Sequence, residues 1–410
     1  MAAALPDAEP MPDDGALPDA ALAGRRQRPF GIYVHVPFCA SRCGYCDFNT
    51  YTADQLPGAS RDDYPDLVLA ELAQARRVLG AEQPPVRTVF FGGGTPTLLP
   101  PEALARILAG IDATFGLAPD AEVTTEANPE SVTPASLAAL RRAGFTRVSL
   151  GMQSAAERVL AVLDRRHTPG RAVAAAREAA AAGFEHVNLD LIYGTPGETA
   201  DDWARSLDAV LDAVAGGAVD HVSAYSLIVE DGTRLAARIA RGELPTPSDD
   251  VAADRYLAAE RRLTDAGLSW YEVSNWAAND AARCRHNLLY WTGGDWWGLG
   301  PGAHSHVGGV RWWNVKHPSR YAQRLAAGLS PGQGREILTA AERHTEDVLL
   351  ATRLRTGLDL SVLPEPARAA ARRAAADGLL ADTDLAAGRA VLTLNGRLLA
   401  DAVVRALLPD

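Results

Sequence analysis

The sequence predicts an α/β fold, a partial barrel of about six strand–helix units with a smaller, mostly helical C-terminal domain. Three observations carry this. Short apolar runs with β preference alternate with amphipathic helical stretches from Gly31 to Val273, the pattern of parallel strands joined by right-handed crossovers. The residue types that packing alone does not require fall just after those strands, at the rim where such barrels keep their chemistry. Past Gly298-Leu299-Gly300-Pro301-Gly302 the alternation ends and helical spacing takes over. A Rossmann-like sheet is the second reading. Six or seven units, however, are too many for a small doubly wound sheet and nearly enough for a closed barrel.

Residues 1–24 mix Ala, Pro, Asp and Gly without hydrophobic period, and are expected to be a disordered leader. The barrel is expected over residues 25–275. Its strands fall at Gly31–Val36, Arg87–Phe91, Ala121–Glu126, Thr146–Leu150, His186–Ile192, His221–Leu227 and Ser269–Val273. Helical spacing marks Asp62–Leu79, Pro101–Phe115, Pro134–Ala143, Ala155–Leu163, Arg171–Ala182, Asp202–Val214 and Asp249–Ala266. Residues 276–316 read as an aromatic-rich connection. Residues 317–410 read as the helical domain, with helices near Ser319–Ala327, Ala340–Arg355, Pro366–Ala376 and Gly396–Leu408, and a strand at Ala390–Leu394 before a turn at Asn395-Gly396. A winged-helix arrangement acting as a lid over the barrel mouth is the expectation for that domain.

Composition narrows the function classes. The chain has 410 residues, 47% hydrophobic and 22% charged, with a net charge of −11. That balance argues against a general nucleic-acid or anionic-membrane binder, because both need a basic face. No apolar run approaches the ~20 residues that span a bilayer, and the N-terminus lacks the order of a signal peptide. Three of the four cysteines are clustered rather than dispersed in pairs, which suits a reducing cytoplasm better than a disulfide scaffold.

That cluster is the most informative stretch. In Tyr33-Val34-His35-Val36-Pro37-Phe38-Cys39-Ala40-Ser41-Arg42-Cys43-Gly44-Tyr45-Cys46-Asp47-Phe48 the spacing is C-x3-C-x2-C, directly after the first strand. Three thiolates on one short loop can hold three irons of a [4Fe–4S] cluster and leave the fourth open to a small molecule. The alternative is a structural zinc ion with His35 or Cys284 as fourth ligand, but zinc knuckles usually pair one C-x2–4-C with a distant second pair, and the chain has none. Gly92-Gly93-Gly94-Thr95-Pro96-Thr97 follows a strand without being G-x-G-x-x-G or carrying a phosphate-binding Lys. It lets backbone approach a ligand closely, or simply makes a tight turn. Glu126 ends the third strand, where a carboxylate can accept from an amine or a ribose hydroxyl. Gln153, Arg165 and Asp190 could continue that lining.

The cysteine loop, the GGGTPT stretch and Glu126-Ala127-Asn128-Pro129 together resemble the radical S-adenosylmethionine superfamily, and within it the oxygen-independent coproporphyrinogen III oxidase-like branch. The resemblance runs from about Gly31 through most of the chain. It implies Cys39, Cys43 and Cys46 as ligands of a [4Fe–4S] cluster. It implies Tyr33, Tyr45, Gly93, Gly94, Thr95 and Glu126 around S-adenosylmethionine, with Gln153, Arg165, Asp190 and Ala224 further round the rim. Two kinds of protein share that branch. The dehydrogenases, which decarboxylate two propionates of coproporphyrinogen III, carry a further cysteine where this chain has Phe48; Phe48 matches the HemW-type heme chaperones. His286-Asn287-Leu288-Leu289-Tyr290-Trp291 resembles the H-N-x-x-Y-W motif linked to heme in those chaperones, which makes His286 the candidate heme ligand. An imidazole can ligate heme iron axially, and Tyr and Trp can stack on a porphyrin. The other reading of these aromatics is packing between barrel and second domain, since seven of the eight Trp lie between Trp270 and Trp313. Cys284, two residues before His286, could be a thiolate ligand or a covalent attachment point, but a lone Cys between two Arg residues is more often inert and is left out of the candidate site.

The resemblance therefore implies a cytoplasmic heme chaperone with cluster, S-adenosylmethionine and heme as cofactors. Its partners would be heme-accepting proteins, membrane respiratory enzymes among them, an electron donor if S-adenosylmethionine is cleaved, and a second copy of the chain in a homodimer. The rival expectations are the dehydrogenase itself and a radical enzyme acting on another substrate.

Overall fold

A computed structural model describes residues 8–55, 60–165 and 167–408. Thirteen strands form one sheet. In chain order they are β1 (Glu9–Pro10), β2 (Phe30–Val36), β3 (Val86–Gly93), β4 (Leu117–Ala127), β5 (Arg147–Gln153), β6 (His186–Tyr193), β7 (His221–Ser226), β8 (Ser269–Glu272), β9 (Asn275–Ala277), β10 (Asp295–Leu299), β11 (His304–Val307), β12 (Val310–Asn314) and β13 (Gly332–Ile337). Their order across the sheet is β1-β13-β12-β11-β10-β2-β3-β4-β5-β6-β7-β9-β8. Strands β2 to β7 lie side by side in sequence order and are all parallel. This is the open six-unit barrel that the strand–helix alternation predicts. The parallel strands are apolar along most of their length because helices cover one face and the barrel interior the other. Phe30, Ile32, Val34, Val89, Phe91, Val148, Leu150, Leu189 and Leu191 are all fully buried.

The helices that return the chain between strands start where local chemistry favours them. Helix Pro101–Phe115 has Pro at its first turn, where a missing N–H costs nothing. Helices Pro134–Arg142 and Ala200–Ala215 carry reciprocal capping boxes, Thr133 with Ser136 and Thr199 with Asp202, so the backbone donors at each start are satisfied.

Three expectations require correction. The leader read as disordered is ordered from residue 8: Glu9 and Pro10 pair with Arg335 and Gly334, and a short helix spans Asp19–Leu22. The contacts responsible are Arg324 to Asp13 and Arg335 to Glu9, both remote in sequence, and Arg28 to the nearby Ala21 and Ala23 carbonyls, none of which a hydrophobic period signals. Residues 1–7 lie outside the described residues. The stretch read as a connection, 276–316, carries a helix and three full strands of the sheet. It supplies β10, parallel to β2, and the antiparallel β11 and β12, while β13 lies inside the segment assigned to the helical domain. The helical unit with its own core begins at Ala340.

That unit packs Val348, Leu363, Ala367, Ala371, Val403 and Leu407 together around a two-stranded ladder, Leu358–Asp359 against Arg389–Ala390. Asn395-Gly396 is no hairpin turn but part of the helix Leu394–Leu398, with Gly396 pressed so closely on the Leu379 carbonyl that a side chain would collide. The unit docks on the helix Asp249–Asp265 and on β8, and none of its residues lines the cavity at the barrel mouth, so it is not the expected lid. Arg397 forks onto Glu260 at 2.6 and 2.8 Å and lies 4.5 Å over the Trp270 ring. Among the described residues no helix is long and apolar enough to cross a membrane.

Candidate functional site

The C-terminal ends of β2 to β7 surround a cavity of ≈ 540 Å³. Its wall contains Cys39, Cys43 and Cys46 from the loop after β2, Gly93, Gly94 and Thr95 after β3, and Glu126 and Asn128 at the end of β4. Gln153 from β5, Arg165 beyond it, and Asp190 from β6 complete the polar lining. Eleven residues singled out by sequence thus meet in one place: the three cysteines, Tyr45, Gly93, Gly94, Thr95, Glu126, Gln153, Arg165 and Asp190.

The glycines have a local reason. The Gly94 N–H donates to the Val36 carbonyl at 2.8 Å and Thr95 N–H to the Phe38 carbonyl at 2.7 Å. A Cβ on Gly94 would strike that same Phe38 carbonyl, and one on Gly93, whose φ is +108°, would strike the His35 ring. These two positions hold the cysteine loop down on β3 as well as flooring the cavity.

The carboxylates are poised by burial. Glu126 accepts from Gly93 N–H at 3.0 Å, yet burial and then the Asp190 charge push its pKa up to about 8. Burial also raises Asp190, against hydrogen bonds from Ser149 at 2.8 Å and Asn188 at 2.7 Å. Arg165 donates to the Gly151 carbonyl at 2.8 Å and approaches the Cys43 Sγ at 3.7 Å. Burial raises the thiols, Cys39 to about 11 and Cys46 in the same direction.

Two features of this wall suit a polar ligand. Gln153 has φ +66° where β5 slips register against β6, a bulge that turns its side chain, at a backbone cost of order 1–3 kcal/mol for a non-glycine residue. Its Oε1, and the Nε of Arg165, are buried with no hydrogen-bond partner among the described residues. Buried polar atoms are ordinarily paired, so these two, both on the cavity wall, are free to meet polar groups of a ligand there. At the mouth Phe48, Tyr225 and Ile228 are 55%, 41% and 69% exposed.

Three predicted residues are elsewhere. Tyr33 is not on the cavity wall; its hydroxyl pairs with His35 Nδ1 at 3.0 Å and its ring stacks on Phe90. Ala224 is fully buried on β7, one residue short of Tyr225, which does line the cavity. His286 lies deep in the barrel near the opposite end, on the helix Arg285–Trp291. Its Nδ1 pairs with Thr88 Oγ1 and its Nε2 with Tyr290 Oη, both at 2.8 Å, and its ring stacks 5.2 Å from Phe90. With 1% exposure and both nitrogens engaged, it offers no ligating lone pair in this conformation.

Neither proposed fourth ligand of a zinc site is placed for it. Cys284 is buried with its Sγ 3.6 Å from Glu122 Oε1, and the His35 nitrogens are held by Tyr33 and by the Asn49 carbonyl. Asn128, part of the Glu126–Pro129 motif, also lines the cavity, as do Ser149, Tyr225 and Ile228, which sequence reasoning missed. Tyr225 and Ile228 had only their position at or just after the end of β7 to mark them, and Ser149, inside β5, is marked only by its contact with Asp190.

An open parallel barrel with three cysteines after its first strand defines a class, and comparison agrees: the model of the radical SAM superfamily matches residues 33–210. The solved coproporphyrinogen III oxidase HemN of Escherichia coli has the same fold, with a TM-score of 0.79 over 96% of this chain and 94% of its own, at 24% identity. Curated relatives are more specific. The chain is 59% identical over 387 residues, 94% of its length, to the heme chaperone HemW of Mycobacterium tuberculosis, covering 97% of that protein. It is 35% identical over 346 residues to HemW of a Synechocystis species, covering 82% of this chain and 81% of the relative. The chain belongs to the HemW family.

Proposed function

We propose that this protein is a heme chaperone of the cytoplasm, which binds heme, carries a [4Fe–4S] cluster with S-adenosylmethionine, and hands heme to acceptor proteins. One observation carries the reading: 59% identity across 94% of the chain to a protein named for that activity. Phe48, exposed at the cavity mouth, supports it over the dehydrogenase, whose loop has a further cysteine there.

The residues present fit the cofactors. Cys39, Cys43 and Cys46 would hold the cluster, and their protons must leave as it forms. Glu126 and Asp190 offer carboxylates to an ammonium and to ribose hydroxyls, Gln153 Oε1 accepts, and Arg165 Nε donates. Tyr45, Gly93, Gly94 and Thr95 complete the wall. When bound, the pair supplies one-electron chemistry at the sulfonium. Carriage of heme does not require that step, and a reductant is a partner only if it occurs. A homodimer and membrane respiratory enzymes as acceptors belong to the same reading.

The test is anaerobic purification with iron and sulfide analysis, followed by titration with heme. Stoichiometric heme uptake, with coproporphyrinogen III left unconverted under reductant and S-adenosylmethionine, is expected. Formation of protoporphyrinogen IX would replace the reading with the dehydrogenase.

A further inference from the structure

Below the cavity, the inward side of the barrel carries polar side chains that do not line it. Residues two apart on a strand share a face, so Asn188 of β6 points inward with Asp190, while Leu189 and Leu191 belong to the apolar core. Across the sheet, Ser149 of β5 and His221 of β7 pair with Asn188, and Ser223 of β7 pairs with Asp190. Asn188, His221, Ser223 and Tyr271 of β8 are all buried, and none of the four borders the cavity that Asp190 and Ser149 line.

These groups form one hydrogen-bonded chain whose direction is fixed at its far end. The Cys284 backbone N–H can only donate, and it donates to Tyr271 Oη at 3.2 Å. Among the described residues the other partner of that hydroxyl is His221 Nε2 at 2.8 Å, so the phenol proton goes to Nε2. Burial, with Arg147 and His186 nearby, keeps the His221 ring neutral. A neutral imidazole that accepts at one nitrogen donates from the other, so Nδ1 donates to Asn188 Oδ1 at 2.7 Å. That oxygen also accepts from Ser223 Oγ at 3.3 Å. The Asn188 amide then presents only N–H groups toward the cavity, one to Asp190 Oδ1 and one to Ser149 Oγ, both at 2.7 Å. Ser149 Oγ in turn donates to Asp190 Oδ2 at 2.8 Å. Both oxygens of Asp190 receive a donor, and every link points at them.

Donors on both oxygens favour a carboxylate over its acid, here against the burial that raises Asp190. Glu126 and Arg165 face Asp190 from the neighbouring strands, with the phenols of Tyr45 and Tyr225. Glu272, Cys284 and Arg147 surround Tyr271.

We propose that Asn188, His221 and Tyr271 are positioning residues of the S-adenosylmethionine site: their one-way chain holds Asp190 as an oriented carboxylate that accepts from a hydroxyl or ammonium of the ligand. This role rests on S-adenosylmethionine being the ligand of the cavity, and it extends the site to a phenol on β8 that does not border it.

Equilibrium binding of S-adenosylmethionine to the anaerobic, cluster-loaded protein, from about pH 6 to about pH 8.5, tests it. Tyr271→Phe removes one oxygen and leaves the imidazole free to turn its proton round. Asp190 then ionises less readily, so binding should weaken about fivefold near pH 6 and approach wild type as pH rises. Glu126 titrates in both proteins, so the ratio of variant to wild-type affinity reports the chain. Asn188→Leu removes the donor to Asp190 itself and should show the same pH-dependent loss, about tenfold or more. In an Asp190→Asn background, Tyr271→Phe should change affinity no further. A wild-type profile in Tyr271→Phe and Asn188→Leu would overturn the role. So would a loss equal at every pH, or one that persists in the Asp190→Asn background, since damage to packing alone would give either. Wild type that binds no S-adenosylmethionine would overturn the cofactor reading and the role of the chain with it.

Discussion

Glu126 shows how a single residue carries both stability and binding. Its carboxyl ionises near 8 in the folded chain against an ordinary value near 4.5, so the folded state holds a proton that the unfolded state has released over that interval. Stability without ligand is therefore full below about pH 4.5 and falls as pH rises through about 8. An ammonium ligand reverses the preference by favouring the carboxylate. Binding of S-adenosylmethionine should tighten between pH 6 and 8, level off above, and release a proton, which calorimetry in buffers of different ionisation enthalpy would register. Glu126→Gln should abolish both the proton release and the pH slope. At this scale the sequence was informative about the residues themselves. Cys39, Cys43 and Cys46 announce themselves by spacing, and Glu126 by ending a strand. What it did not disclose were the unpaired Gln153 Oε1 and Arg165 Nε, because whether a buried atom has a partner depends on neighbours brought in by the whole barrel.

The helix Arg285–Trp291 is the element whose reading changed most. His286 and Tyr290 are four residues apart and share a face, and that face looks the same in sequence whether heme or the barrel interior covers it. Here the barrel does. Glu122 receives the backbone N–H of both Arg285 and His286, at 3.1 and 3.0 Å, and the buried Arg147 faces the same carboxylate at 3.0 Å while donating to the Ala282 and Arg283 carbonyls. His286→Ala should cost about 2–4 kcal/mol, from lost packing and two orphaned hydroxyls. Arg147→Met should cost about 3–5 kcal/mol by leaving Glu122 charged and unpaired. Chemical denaturation of each variant measures both. If His286→Ala left stability unchanged, the helix would not be the fixed plug described here. The strands β2 to β7 were legible because apolar runs between helices have few other uses. Strands β9 to β13 were not, since their Trp, His and Gly follow neither strand alternation nor a continuous apolar run.

Across the whole molecule, remote pairings extend a six-unit barrel into a thirteen-stranded sheet. The N-terminal strand closes one edge through β13, and local composition gave no sign of it. The helical unit was legible in its helices, whose periodicity is local, and not in its docking, which turns on Arg397 with Glu260 and Trp270. Arg397→Ala should loosen that docking by about 1–3 kcal/mol, seen as faster amide exchange in residues 340–407 with the barrel unaffected. Because the cavity wall ends at Glu230, S-adenosylmethionine affinity should survive that substitution. The central claim is that the molecule carries heme and gives it up. Its most direct test is anaerobic mixing of heme-loaded protein with an apo b-type heme protein, following the Soret band of each after separation. The account predicts that heme moves to the acceptor and the chain returns heme-free with its cluster retained. Heme that stays on the chain while porphyrinogen is decarboxylated would contradict it.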